Sequence, residues 1–202
     1  NGTIEAFIQA TDGATDTDDA DNDPTNETVT GRAVAIDVSA NTTGVTLVQE
    51  DLDTSDSSRP SITGEILLGS GSDQVDILNG TVTGDISFGD GSDSLFIDGG
   101  SVVTGILSDS DGLLNIDVTD GTLDARQTSA LTISGLDLGA DASLIVTVNP
   151  AANASGGFIV NGTANIATGA SLGIRFNSLL QDPTRFVVIQ ATTLNAGDLD
   201  QT

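Results

Sequence analysis

Carboxylates are the abundant reactive side chains of this sequence. The 202 residues include 30 Asp and Glu together with five basic residues, all Arg, and no His, Cys, Met, Trp or Tyr. Ser-His-Asp catalysis needs a histidine base, whereas thiolate catalysis and sulfur-ligated metal sites need cysteine. These chemistries are therefore excluded for this chain. Oxygen ligands remain, and calcium is an ion that clusters of Asp suit well.

An acidic segment near the N-terminus has the local spacing of calcium ligands. Asp19, Asp21 and Asp23 stand at alternate positions, with Asp16 and Asp18 close by. Alternating carboxylates allow a short loop to wrap one ion. The segment lacks the Gly and the trailing Glu of an EF-hand loop, and its composition also fits a solvated acidic insertion. Calcium ligation by Asp19, Asp21 and Asp23 is the metal-site hypothesis, and no other cofactor is predicted.

Two glycine-rich turns form a second calcium candidate. Residues 69–75 read GSGSDQV and residues 89–95 read GDGSDSL. Both resemble the G-x-G-x-D-x-apolar core of RTX calcium-binding β-rolls, whose period is nine residues. Here the motif recurs after twenty residues, and a third copy has Leu113 where Asp is expected. The sequence therefore favours turn chemistry, in which Gly supplies positive φ and Asp73 and Asp93 cap backbone N–H groups of their own turns.

These turns belong to an internal repeat. Residues 61–80, 81–100 and 101–121 can be aligned, and the third copy has one extra residue. Apolar and polar residues alternate inside each copy, which predicts short strands with one buried face. One copy is too small to bury its own apolar face, so successive copies must stack. Ile66, Ile86 and Ile106 are then expected to form one interior ladder, with parallel strands about 4.8 Å apart.

The stacking predicts an all-β fold, namely a right-handed parallel β-helix (solenoid) with a C-terminal β cap. Residues 1–60 are interpreted as irregular coils with acidic loop insertions, and residues 61–128 as regular coils of twenty or twenty-one residues. Residues 129–202 lose the Gly-Asp pattern and are predicted to seal the open end of the β-helix. Strands are expected there at residues 131–133, 144–148, 158–160, 164–167, 172–176 and 186–189.

Charge and the placement of carboxylates limit the function. The net charge of −25 argues against binding to nucleic acid and to anionic lipid, because both need clustered Lys and Arg. Carbohydrate-active enzymes on β-helices use carboxylate pairs in a groove, often with Arg or Lys. The Arg residues here are scattered outside the repeats and the Asp residues lie in turns. No catalytic residue is therefore predicted.

The C-terminal third carries a resemblance to a known family. Coils that start with sequences such as TVTGDI are followed by GLDLGADASLIVTVNPAA (residues 135–152), FIVNGTANIATGASLGIRF (158–176) and RFVVIQATTLNAG (185–197). Over residues 62–197 the chain resembles the end of a bacterial autotransporter passenger domain. The resemblance implies type V secretion across the outer membrane and a location at the cell surface or outside the cell. It also implies an autochaperone role for the C-terminal segment, a signal peptide before Asn1 and an outer-membrane barrel after Thr202.

The expected function is that of a non-enzymatic, surface-displayed stalk, a repeat protein that serves adhesion or presentation. An adhesin of this kind would bind a host or cell-surface protein or a polysaccharide. Binding to nucleic acid and direct membrane insertion by this segment are not expected. Two alternatives stay open on the residues: a fragment of a carbohydrate-active β-helix enzyme, and a calcium-stabilised extracellular binding module.

Overall fold

The computed structural model describes residues 2–6, 32–52, 57–179 and 183–197. Within them the regular elements are β-strands and one short 3-10 turn, Pro150–Ala152. The first strands are β1 Thr3–Glu5, β2 Val34–Asp37, β3 Thr46–Gln49, β4 Ser61–Thr63, β5 Glu65–Leu67, β6 Gln74–Ile77, β7 Thr81–Thr83, β8 Ile86–Ser87 and β9 Ser94–Ile97. They are followed by β10 Ser101–Gly105, β11 Leu107–Ser108, β12 Asn115–Ala125, β13 Leu131–Ile133, β14 Gly135–Asn149, β15 Ala154–Ser155, β16 Phe158–Ile166, β17 Ser171–Phe176 and β18 Ile189–Ala196.

The strands form a large, parallel and strongly curled sheet. Thr81 of β7 pairs with Ser61 of β4 on one side and with Val102 of β10 on the other, and Val102 pairs with Thr122 of β12. The aligned repeats therefore stack strand on strand, as predicted. A second, four-stranded sheet consists of β2, β5, β8 and β11. None of the helices in the described residues is long and apolar enough to cross a membrane.

One column of apolar residues runs through the main sheet. It consists of Ile4, Ile62, Val82, Val103, Leu123, Leu144 and Leu172, each paired with the next. We call the segment of chain that starts at each of these residues a layer. The side chains from Ile62 to Leu144 are buried and belong to one continuous core. The core is aliphatic because few aromatic side chains are available in the sequence.

A second row of strands in this sheet carries a line of outward-facing polar residues. It contains β3, β6, β9, and parts of β12, β14, β16 and β18, all in parallel. Val75, Leu95, Ile116 and Leu136 stack inward in this row and are buried. Since strand side chains alternate between faces, the residues that follow each of these four face outward.

The predicted ladder of Ile66, Ile86 and Ile106 is wrong at its third member. Ile66 pairs with Ile86, but Ile86 pairs with Leu107. Ile106 is 42% exposed, whereas Leu107 is buried. The extra residue of the third repeat lies before this point, at the turn into β10, where the buried Ser101 hydroxyl donates to two backbone carbonyls. The spacing between these layers is therefore twenty-one residues.

The same shift changes which residue follows Asp93 in its column. Ser94 pairs with Asn115, so Leu114 and not Leu113 is stacked on Asp93. Leu114 is fully buried, while Leu113 is 47% exposed. A leucine thus replaces the carboxylate in the third copy, and the column of buried Asp side chains ends after two members.

The C-terminal strands continue the parallel stack. β13, β14 and β17 contain the strands predicted at 131–133, 144–148 and 172–176, and β16 contains the one at 158–160 and most of that at 164–167. The strand predicted at 186–189 is wrong, because β18 begins at Ile189. The prediction rested on the uninterrupted apolar run at residues 186–189, which is typical of a strand buried on both faces. In the structure this run lies at the end of the stack, where Val187 is exposed.

The last layer leaves inward side chains partly uncovered. Ile174 and Phe176 pair with the buried Val146 and Val148, yet they are 51% and 52% exposed. Leu194 of β18 is exposed to a similar extent. The described residues therefore do not close this end of the core. The predicted division of the chain at residues 60 and 128 stays a prediction. Strands on the two sides of residue 128 pair directly with each other, β12 with β14.

Candidate functional site

The calcium ligands predicted at Asp19, Asp21 and Asp23 lie outside the described residues, so that site stays a prediction. In the part of the chain that the structure describes, no group of three or more Asp, Glu, His or Cys side chains is arranged to hold a metal ion. That part includes Asp73 and Asp93, the acidic residues of the two glycine-rich turns.

Asp73 and Asp93 bind backbone N–H groups of the preceding layer. The Oδ1 atom of Asp73 accepts a hydrogen bond from the Val45 N–H at 2.6 Å, and Oδ1 of Asp93 accepts one from the Asp73 N–H at 2.7 Å. Both residues are only 2% exposed. The predicted capping of N–H groups within the same turn is wrong, because each carboxylate accepts from a backbone N–H of the preceding layer and so joins two layers.

The second oxygen of each carboxylate has a less favourable environment. Oδ2 of Asp73 and Oδ2 of Asp93 are buried without a hydrogen-bond partner in the described structure. Burial raises the pKa of Asp93 to about 6, and the carboxylates of Asp73, Asp109 and Asp111 add to the rise. A carboxyl group with this pKa changes its charge in mildly acidic solution. Folding is therefore coupled to the protonation of Asp93.

Arginines that are distant in the sequence meet at Asp124. Arg175 of β17 donates to both carboxylate oxygens of Asp124, through Nη1 to Oδ1 and through Nη2 to Oδ2 at 2.8 Å. Arg126 donates from Nε at 3.3 Å. Burial opposes ionisation of Asp124, but the hydrogen bonds from the two arginines outweigh it and hold the pKa of the carboxyl below its usual range. The contact links layers that are two apart.

We expect Arg175→Met to lower the free energy of unfolding by about 1–2 kcal/mol, because it leaves a buried carboxylate with one weaker partner. The value is below that of a fully buried pair, since the Arg175 side chain is 38% exposed. Arg126→Met is the matched control, with an expected loss below about 1 kcal/mol at a more exposed site. Urea denaturation measures both changes. Equal losses of stability for the two variants would contradict the larger contribution assigned to Arg175.

A groove of about 730 Å³ lies on the outward side of the second strand row. One wall carries a column of polar residues from four successive layers, in the order Asp117, Asp137, Asn165 and Asn195. These residues occupy strand positions directly after buried apolar ones, so the pleat of the sheet turns them outward. The other wall is formed by the residues that follow this column along the chain, including residues 138–139, 166–168 and 196–197.

A chain of hydrogen bonds runs along the polar column. Nδ2 of Asn195 donates to Oδ1 of Asn165 at 2.8 Å, and Nδ2 of Asn165 donates to Oδ1 of Asp137. The chain stops there, because Asp137 and Asp117 are both acceptors when ionised. Burial raises the pKa of Asp117, and the neighbouring Asp137 carboxylate adds to the rise. Groups that donate hydrogen bonds are therefore favoured beside this pair.

Sequence reasoning missed the groove residues. Asp117 lies between the buried Ile116 and Val118, and Asp137 between Leu136 and Leu138. Apolar–polar alternation at these positions is the sequence signal that marks both Asp residues as outward-facing. Their alignment in one column depends on how many residues separate the layers. That separation is twenty between these two Asp residues and larger in the layers that follow.

The groove offers carboxylates and primary amides in one line and is open to solvent. Carboxylates accept hydrogen bonds, and each amide both donates and accepts. Hydroxyl-rich molecules fit such a mixture because every hydroxyl group can do both. Comparison with protein-family models, with curated proteins and with solved structures finds no match for this chain.

Proposed function

We propose that this chain is a segment of an autotransporter passenger, a right-handed parallel β-helical stalk that displays binding surfaces outside the cell. The observation that carries the proposal is the uninterrupted apolar column from Ile4 to Leu172, which joins the layers through parallel pairs in regular succession. A stack of this kind gives a rigid body whose length grows by about 4.8 Å with each layer.

The right-handed course follows from general strand geometry. Parallel strands of one sheet are connected by right-handed crossovers in about 98% of cases, because twisted strands pack back onto their sheet in that sense. The aliphatic core and the absence of Cys from the sequence also fit the proposal. A chain that crosses the outer membrane unfolded and folds outside needs a core that forms without disulfide exchange.

The C-terminal layers are proposed to act as an autochaperone. Strands β14 and β16 are the longest of the stack together with β12. β14 pairs with β17 through six residue pairs, and β16 pairs with β18 through seven. Long strands present many backbone groups at once, and a template of this kind lowers the entropic cost of adding the next layer. The function needs no catalytic residue, since the chain acts by folding and by the surface that it holds.

Removing residues 179–202 is expected to slow refolding from denaturant by about tenfold or more, because a loss of about 1.4 kcal/mol in the folding nucleus has that effect. The matched control lacks residues 1–31 and therefore loses a segment of similar size at the other end. Stopped-flow fluorescence with an external apolar dye follows the recovery, since the sequence has no Trp or Tyr.

The proposal expects a larger decrease in rate for the C-terminal deletion than for the N-terminal one. Equal refolding rates for the full chain and the chain without residues 179–202 would contradict the autochaperone role. Circular dichroism of both deletion variants at equilibrium verifies that each reaches a β-structured state before rates are compared. As partners we propose a host or cell-surface protein or a polysaccharide, with an outer-membrane barrel elsewhere in the parent protein.

A further inference from the structure

We propose that the groove beside Asp117, Asp137, Asn165 and Asn195 binds an extended, uncharged glycan that lies along the stacking direction of the layers. The inference names a class of ligand for the displayed surface. It rests on the proposed display function for its biological setting. Its test is a binding measurement that does not involve secretion or refolding.

The first argument is the repeat distance of the column. The four residues come from consecutive layers and are paired in register, so their backbones are about 4.8 Å apart. A polymer with hydroxyl groups on every unit can therefore meet a polar side chain at each layer. The groove is open to solvent, so an extended chain can reach the four side chains.

The second argument is the hydrogen-bonding capacity left after the internal chain of hydrogen bonds. An amide has two N–H donors and two acceptor lone pairs. Asn165 uses one donor on Asp137 and one acceptor site for Asn195, so it keeps one of each. Oδ1 of Asp117 has a long contact of 3.4 Å with the Thr119 hydroxyl. Vicinal hydroxyl groups can donate to the carboxylates and accept from the free amide N–H groups.

The third argument concerns the charge of the ligand. An anionic polymer would approach a chain of net charge −25 and would meet two adjacent carboxylates in the groove, so it is disfavoured. A cationic chain would gain from Asp117 and Asp137 but would find only neutral amides in the other two layers. The neutral half of the groove makes an uncharged ligand the better match.

An aromatic side chain lies at one end of the column. Phe96 precedes Asp117 in the same outward register and is half-buried. The carbon-bound hydrogens of a sugar ring can pack on the face of an aromatic ring while its hydroxyl groups point away. The combination of one aromatic side chain with carboxylates and amides is typical of sites that contact both the carbon-bound hydrogens and the hydroxyl groups of a sugar.

The experiment measures binding of soluble β-1,4-, β-1,3- and α-1,4-linked glucan oligosaccharides and of mannan oligosaccharides by isothermal titration calorimetry, using the full 202-residue chain. At least one of these probes is expected to bind. The double variant Asp137→Ala/Asn165→Ala is expected to raise its Kd by about tenfold or more, because two layers lose their polar contacts. The same probes are assayed for released reducing ends, and none is expected.

The control is Asp141→Ala/Asn161→Ala, which removes the same two side-chain types from exposed positions outside the groove. This control variant should keep the Kd of the original chain. Asp117→Asn/Asp137→Asn removes both charges and keeps the shape and one acceptor oxygen on each side chain. A glycan should then bind about tenfold more weakly, since hydrogen bonds to the two neutral acceptors are weaker than those to carboxylates.

The proposal is overturned if none of the glucan and mannan probes binds, or if the groove and control variants have equal Kd values. It is also overturned if polylysine binds in place of the glycans and this binding is lost in Asp117→Asn/Asp137→Asn. That result would identify a cationic ligand. Release of reducing ends that stops in Asp117→Asn/Asp137→Asn would replace the proposal with that of a carbohydrate-active enzyme. The refolding comparison is independent of these outcomes, so the two proposals fail separately.

Discussion

Replacing Gly84 with alanine is expected to lower the free energy of unfolding by more than about 4 kcal/mol, enough to unfold much of the protein. A Cβ atom at this position would lie 2.0 Å from the carbonyl oxygen of Gly64 and 2.5 Å from its carbonyl carbon. Both atoms belong to the backbone of the adjacent layer, so neither can rotate away. Gly84 also has a φ of +151°, which L side chains rarely adopt.

The clash at Gly84 belongs to a column of close backbone contacts. Gly64, Gly84 and Gly105 follow one another in successive layers, and a Cβ atom on Gly105 would lie 2.0 Å from the Gly84 oxygen. At this corner the layers approach without any side chain between them. A single methyl group would therefore separate two layers and weaken the strand pairs on both sides of the corner, β4 with β7 and β5 with β8.

Gly100→Ala is the control for the backbone conformation. Gly100 has a φ of +71°, but a Cβ atom there would have nothing within 4 Å. Its expected cost is about 1 kcal/mol, which is the penalty of the left-handed region alone. Urea denaturation followed by circular dichroism compares the two variants. Equal losses of stability would show that the contact between layers contributes nothing beyond the φ penalty.

These glycines illustrate how much of the fold the sequence predicts. Their recurrence at residues 64 and 84 was visible in the repeat, and alternation around them predicted strands with one buried face. The location of the extra residue in the third repeat was not visible, because Ile106 and Leu107 are both apolar and either could continue the ladder. In the structure the extra residue lies in the turn before β10, where the buried Ser101 hydroxyl is within hydrogen-bond distance of two backbone carbonyls.

The candidate groove could be predicted only in part, for a related reason. Alternation shows that Asp117 and Asp137 face outward, and their spacing equals the repeat. Asn165 and Asn195 follow after 28 and 30 residues, since the later layers contain longer connections. Only the strand pairs of the structure place Asn165 and Asn195 in one column with the two Asp residues. The contact between Arg175 and Asp124 spans 51 residues and depends on the same connections.

A decrease in stability between pH 4 and pH 7 is the second large effect that we expect, with Asp93 as its main source. The pKa of Asp93 is about 6 in the folded chain and about 3.9 in an unfolded one. Below pH 4 both states hold the proton, and burial of the neutral carboxyl carries no charge penalty. Between these two values the unfolded state loses its proton first, so stability falls as the pH rises.

The difference of about two pH units corresponds to about 3 kcal/mol at neutral pH. The sign is opposite to that of a salt-bridged carboxylate such as Asp124, whose lowered pKa adds stability above its unfolded value. Asp93→Asn keeps an oxygen that can accept from the Asp73 N–H but removes the charge. Relative to the original chain, the variant should therefore gain about 2–3 kcal/mol of stability as the pH is raised from 4 to 7.

Asp141→Asn corrects for the general effect of one fewer negative charge, because Asp141 is exposed. The free energy of unfolding of all three chains is measured in urea at several pH values from 3.5 to 7.5. A steeper fall for the original chain and for Asp141→Asn than for Asp93→Asn is the expected result. Parallel profiles for all three would mean that Asp93 ionises in the folded chain as it does in water, and that the buried column carries no charge penalty. The Leu114 side chain at the same column position shows that an uncharged residue is accommodated there, which is why removal of the charge is expected to stabilise the fold.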